Sequence, residues 1–152
     1  MTIFHGTFFD APDSPFAGGT LRTADALLVR DGVVAARGTL TELQRNQPGE
    51  QIVDLTAGLV LPGFVDTHVH FPQVRMIGAL GMPLLDWLER SALPEEARLA
   101  DVDYARDVAR DFLTGLVRAG TTTALVFGAH YPAAVDVLFA EASQRGVRVT
   151  AG

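Results

Sequence analysis

The sequence predicts an α/β fold preceded by a small β unit, and three observations predict it. From Phe64 to Ala151, β-branched apolar runs alternate with helical periodicity in the order strand, helix, strand, helix, strand. That order is the signature of a parallel sheet with right-handed crossovers. Gly120 and Gly146 each stop a helical run just before a strand, as C-terminal caps do. Ahead of Pro62 the pattern is different, with short strand-like runs broken by turn residues. We therefore divide the chain into residues 1–61, a small β domain, and residues 62–152, an α/β domain.

The β domain opens with Thr2 to Asp10, rich in Phe, Ile and Thr, and read as a strand. His5 lies inside it, where a hydrogen-bonded or solvent-facing histidine is expected. Residues 11–20 contain Pro12, Asp13, Pro15, Gly18 and Gly19, a loop composition. Ala24 to Arg30 and Val33 to Arg37 are strands joined by Asp31-Gly32, a hairpin signal because both positions tolerate positive φ. Thr41 to Gln47 suits a short helical turn, and Gln51 to Leu55 and Leu59 to Leu61 suit two short strands.

In the α/β domain, Phe64 to His70 is the first strand. Val74 to Met82 shows no period and reads as an irregular loop. Pro83 can open a helix, since its missing N–H is an orphan at that position. Leu84, Leu85, Trp87 and Leu88 give that helix an apolar side. Pro94 opens a further turn, with Glu95 and Glu96 suited to its positive end. Asp101 is a credible N-cap for a helix to Ala119. Val102, Ala105, Val108, Ala109, Phe112, Leu113, Leu116 and Val117 recur at three- and four-residue steps, marking one buried face. Thr121 to Gly128 reads as a strand buried on both faces. Pro132 to Arg145 is a helix with Val135, Leu138, Phe139 and Ala142 inward, and Val147 to Ala151 is a third strand.

Composition narrows the functions. The chain has 152 residues, 48% hydrophobic and 20% charged, which is globular rather than disordered. Its formal net charge of −6 argues against nucleic acid as a partner, because phosphate binding needs clustered Lys and Arg. Cysteine is absent, so any metal must be held by His and carboxylate groups. No apolar run reaches membrane-spanning length and no signal peptide is apparent. We expect a cytoplasmic protein without a membrane partner.

Two of the four histidines stand together in Val65-Asp66-Thr67-His68-Val69-His70. Side chains alternate faces along a strand, so His68 and His70 point the same way with Cα atoms about 6.6 Å apart. Two imidazoles at that spacing can converge on one metal ion, and the carboxyl end of a parallel strand is where α/β enzymes place their chemistry. Two unrelated histidines would give the same spacing. Asp66 shares the face; a buried aspartate there more often steadies a neighbouring histidine than binds metal itself.

Pro62-Gly63-Phe64-Val65-Asp66-Thr67-His68-Val69-His70 resembles the opening motif of the amidohydrolase superfamily, metal-dependent hydrolases built on a (β/α)8 barrel. The continuation His70-Phe71-Pro72-Gln73, then Pro83-Leu84-Leu85-Asp86-Trp87-Leu88, then Gly120-Thr121-Thr122-Thr123-Ala124, is similar to the guanine deaminases within it. The resemblance implies that residues 62–152 are the first part of such a barrel, with about three of its strands, and that residues 1–61 are an incomplete β-sandwich-like domain. It implies zinc, with Fe2+ possible, held in part by His68 and His70. It implies contact with a small purine substrate through His70, Phe71, Pro72 and Gln73, hydrolytic deamination of guanine to xanthine and ammonia, and a homodimer. Gln73 suits a purine edge because its amide both donates and accepts. The acid–base glutamate and the remaining metal ligands are expected on later barrel strands, so no catalytic residue is expected within residues 1–152. Trp87 is expected in the core or as a wall of the pocket, and His130 in a structural or solvated loop. Two other expectations stay open: another deaminase or aminohydrolase of the same superfamily, and a non-catalytic fragment or subunit remnant.

Overall fold

A computed structural model describes residues 1–10 and 22–152, in two compact units, Met1–Pro62 and Gly63–Gly152. The loop expected over residues 11–20 lies outside the described residues.

In the first unit, β1 (Thr2–Asp10), β2 (Arg22–Arg30), β3 (Val33–Gly38) and β4 (Gln51–Val60) form one mixed sheet, ordered β3-β2-β1-β4. Neighbours are antiparallel except β1 and β4, which run parallel. Asp31 and Gly32 make the β2–β3 turn with φ of 50° and 77°, as two-residue hairpins require. Between β3 and β4, α1 (Leu40–Asn46) starts with a reciprocal cap: the Glu42 N–H donates to Thr39 Oγ1 and the Thr39 N–H to Glu42 Oε2. Leu43 of α1 packs with Ile3, Ala26 and Leu28 to make the core. The two short strands expected over residues 51–61 are one strand. Its pairing jumps from His5–Asp54 to Thr7–Leu59, and the displaced segment is tied back by the Thr56 N–H donating to Asp54 Oδ1 at 2.8 Å. The described residues of this unit thus form a single sheet rather than two facing ones.

The second unit begins with β5 (Phe64–His70), followed by a 3-10 turn, Phe71–Met76. The irregular loop expected from Val74 is therefore partly ordered. Next come α2 (Leu84–Trp87), a π-helical turn (Leu88–Ala92), α3 (Leu93–Ala97) and a 3-10 turn (Arg98–Ala100). The two separate turns expected here run together into one helical stretch. Pro83 is its N-cap rather than its first residue. Pro94 sits inside because the π turn precedes it: the Leu93 N–H reaches back five residues to the Leu88 carbonyl, relieving the clash a proline causes in a regular helix.

Then α4 (Val102–Arg118), β6 (Thr121–Phe127), α5 (Pro132–Arg145) and β7 (Arg148–Ala151) complete a parallel three-stranded sheet, ordered β5-β6-β7. Asp101 caps α4, its carboxylate accepting from the Asp103 and Tyr104 N–H groups. The face of α4 buries Ala105, Val108, Ala109, Phe112, Leu113 and Leu116, while Val102 and Val117, expected on the same buried face, lie at the two ends of the helix and are exposed. On α5 the buried residues are Ala134, Val137, Leu138, Glu141 and Ala142. Phe139, expected inside, is exposed. The displacement follows from Glu141, whose carboxylate is buried against Arg110 of α4 at 3.1 Å. A charge enters a core only with a partner, and that pairing was not visible in the apolar period. β6 departs from expectation too. Ala124 and Val126 face the helices, but Leu125 and Phe127 are 47% and 43% exposed, so the sheet is covered on one face only. Among the described residues no helix is long and apolar enough to cross a membrane.

Gly63 leads into β5 where the chain passes close to β6. A Cβ on Gly63 would lie 2.1 Å from Thr122 Oγ1 and 2.7 Å from Thr122 Cβ, so turning the threonine side chain cannot relieve the clash. Overpacking of this kind costs about 1–3 kcal/mol. Gly63→Ala is expected to lower the melting temperature by several degrees; an unchanged thermal melt would show that the β5–β6 pair opens freely.

Candidate metal and substrate site

β5 stops at His70 because the turn after it contains Pro72, which has no N–H to offer a ladder. Asp66 pairs with Ala124 and Val69 with Val126, so Thr67 and His68 together oppose Leu125. This is a β-bulge, a device that re-aims side chains beside functional sites. The Asp66 carboxylate holds it in shape by accepting the His68 N–H at 3.0 Å.

The two imidazoles converge. Their ring centroids are 5.4 Å apart at 60°. Both rest on Phe127, His68 at 4.7 Å and His70 at 4.5 Å and nearly parallel, 11° between planes. A tetrahedral ion taking one nitrogen from each ring at about 2.1 Å would hold the centroids roughly 5 Å apart. The pair therefore fits two positions of a zinc coordination shell. Among the described residues no group of three or more His, Cys, Asp or Glu side chains gathers to hold an ion. Asp66 is turned to the backbone, as its role beside the histidines suggested.

Beside the pair is a cavity of about 260 Å³, lined by His70, Gln73, Trp87 and Phe112 among others. Trp87 is thus a wall of that cavity. Phe71 and Pro72, expected to touch substrate, are fully buried. Phe71 packs edge-on against Phe112 at 6.2 Å. Their side chains support the turn from inside, because the 3-10 turn that follows β5 points its first two residues at α4 and leaves Gln73 at the cavity. The Gln73 Nε2 donates to Glu96 Oε1 at 3.3 Å. The other oxygen of Glu96 lies 3.4 Å from His130 Nδ1. His130, in the loop after β6, is otherwise exposed.

A second cluster anchors the segment that carries Glu96. The Tyr104 hydroxyl donates to Glu95, Arg98 pairs with the same carboxylate at 3.0 Å, and the Arg98 and Arg75 guanidiniums lie 3.9 and 4.8 Å from the Tyr104 ring centre. Arg75 also reaches Asp111 at 2.8 Å. Burial, then the bond to Glu95, raises the Tyr104 phenol pKa above its ordinary value; Tyr104 and then Asp111 raise that of Arg75. Neither Glu96 nor Phe127 was expected at the site. Glu96 reads as a helix-start charge and Phe127 as one apolar residue of a strand, and only the pairing of β5 with β6 brings Phe127 under the histidines.

Residues 59–152 match the sequence profile of the Amidohydrolase family. The chain is 53% identical to a probable guanine deaminase of Deinococcus radiodurans, over 100% of this chain and 36% of that protein. Among solved structures, guanine deaminase from Bradyrhizobium japonicum superposes with a TM-score of 0.87 at 40% identity, over 99% of this chain and 34% of that one. Guanine deaminase from C. acetobutylicum, with guanine bound in its active site, gives a TM-score of 0.76 at 25% identity, over 99% of this chain and 35% of that one. The chain thus spans about a third of the length of these relatives. On the profile match and the identity together, this chain belongs to the amidohydrolase family.

Proposed function

We propose that these residues form the first part of the catalytic barrel of a zinc-dependent guanine deaminase, with residues 1–61 contributing part of a β-sandwich-like domain. The observation that carries the reading is the converging His68–His70 pair beside a cavity that also exposes Gln73, in a chain 53% identical to a probable guanine deaminase.

In this reading His68 and His70 each give a ring nitrogen to zinc, or to Fe2+ in its place. The metal supplies Lewis-acid activation of water at neutral pH. The remaining work of this segment is placement. Phe127 stacks on His70 and limits its rotation, and Asp66 holds the bulge that aims His68. Gln73 hydrogen-bonds the purine edge, while Trp87 and Phe112 give the flat ring an apolar wall and keep water from it. The overall change is guanine plus water to xanthine plus ammonia. Proton transfer and further ligation fall to residues outside this segment. The assembled enzyme is a cytoplasmic homodimer with a small-molecule purine as its partner.

The test is ammonia release by an enzyme carrying residues 1–152 joined to the remaining length of its relatives. Guanine is expected to be turned over at least about tenfold more efficiently than adenine, cytosine or melamine, since a site built around paired polar groups rejects rings that leave those groups unpaired. Equal rates on all four would sink the assignment.

A further inference from the structure

We infer that Glu96 is a positioning residue that locks the amide of Gln73 in one orientation, with one N–H committed to Glu96 and the carbonyl oxygen left as the acceptor at the cavity. The inference rests on the reading of that cavity as the purine site.

A glutamine amide is nearly symmetric in shape, and a free one presents a donor or an acceptor with equal ease. Glu96 removes that freedom. An ionised carboxylate accepts hydrogen bonds and donates none, so the Gln73 atom 3.3 Å from Glu96 Oε1 must be the nitrogen. The carbonyl oxygen then takes the other end of the amide, on the side chain that lines the cavity with His70. Glu96 is itself held. Its side chain is only 14% exposed, and His130 Nδ1 lies 3.4 Å from Oε2. Glu95 next to it is tied to Tyr104 and Arg98, so the start of α3 cannot swing away. Three segments at the carboxyl ends of the strands meet at this one carboxylate: the turn after β5, α3 and the loop after β6. The ligand chemistry that follows is a ring edge carrying N–H donors, as a lactam-bearing aminopurine has. A ring edge offering only acceptors there would meet another acceptor.

Glu96→Gln keeps the shape but offers both a donor and an acceptor, which lets the Gln73 amide turn over. The experiment is a double-mutant cycle on Gln73→Ala and Glu96→Gln in an active enzyme carrying residues 1–152. It reads KM and kcat for guanine, metal content and the thermal melt. Glu96→Gln alone is expected to raise KM about three- to tenfold with metal content and melting temperature unchanged. In the Gln73→Ala background it is expected to add nothing, because residues acting through one another are not additive. An equal effect of Glu96→Gln in both backgrounds, or none in either, overturns the inference about Glu96. An unchanged KM in Gln73→Ala overturns instead the reading of the cavity as the purine site, so the two failures are told apart.

Discussion

Replacing His68 or His70 by alanine in an active enzyme carrying this segment is expected to remove both its metal and its turnover. The two rings share one ion in the proposed site, and among the described residues no third His, Cys, Asp or Glu side chain gathers with them to take a lost ring's place. The Asp66 carboxylate is committed to the His68 N–H and cannot replace a lost imidazole without undoing the bulge. Loss of a group that only supports a metal ligand typically costs about 10–100-fold in affinity or activity, so loss of a ligand itself should exceed that range. Gln73→Ala should behave differently, with metal retained, KM raised and kcat/KM lowered, because its amide is assigned to the purine and not to the ion. Metal content by elemental analysis, read beside guanine turnover, separates the two classes. Stoichiometric metal in His68→Ala, or metal loss in Gln73→Ala, would show the roles to be wrongly divided.

Residues 1–152 expressed alone are expected to show no measurable deamination and to associate rather than melt as a monodisperse monomer. The parallel sheet has three strands, and a barrel closes its edges only with its full set. β5 leaves one edge open, with Phe64 and Val65 at its start 59% and 64% exposed. The uncovered face adds Leu125 and Phe127. Open edges and apolar faces of this kind are templates for pairing with another chain. On the chemical side, two histidines hold zinc weakly where a catalytic site uses about three protein ligands. Size-exclusion chromatography, a thermal melt and a guanine assay on the 152-residue chain check this directly. A sharp cooperative melt of a monomer, or metal-dependent xanthine formation, would mean that the segment is more self-sufficient than its open sheet implies.

What was legible in the sequence follows a physical rule. Local signals were readable: Asp31-Gly32 as a hairpin, Asp101 as a cap, Gly120 and Gly146 as helix stops, and the apolar stripe of α4. The His68–His70 pair was readable because strand alternation is local as well. The departures that bear on packing and on the site are places where a distant partner decides. Glu141 takes a place inside α5 because Arg110 on another helix neutralises it. Of the four residues expected to lie open on a three-stranded sheet, Val126, Phe127, Val147 and Val149, Phe127 is exposed as expected, whereas Val126 and Val147 are buried against the helices and Leu125 faces outward instead; alternation along β6 shows which residues share a face but not which face is covered. Phe71 and Pro72 resemble substrate contacts by position in a motif, and the inward turn of their side chains, with Phe71 packed on Phe112, is a feature of packing that the motif does not carry. Glu96 carries no periodic signal, so its meeting with Gln73, 23 residues earlier, became visible only in three dimensions.

The π turn at Leu88–Ala92 sets a phase. It amounts to one residue inserted into an otherwise regular helix, and one residue is about 100° of rotation around a helix axis. Everything after it, Glu95 and Glu96 included, points where it does because of that insertion. Shortening the segment by a single residue would leave its composition and apolar character almost unchanged, yet carry both carboxylates about a quarter-turn away from Tyr104 and Gln73. In this stretch the length of the helix, counted residue by residue, carries information that no individual side chain does.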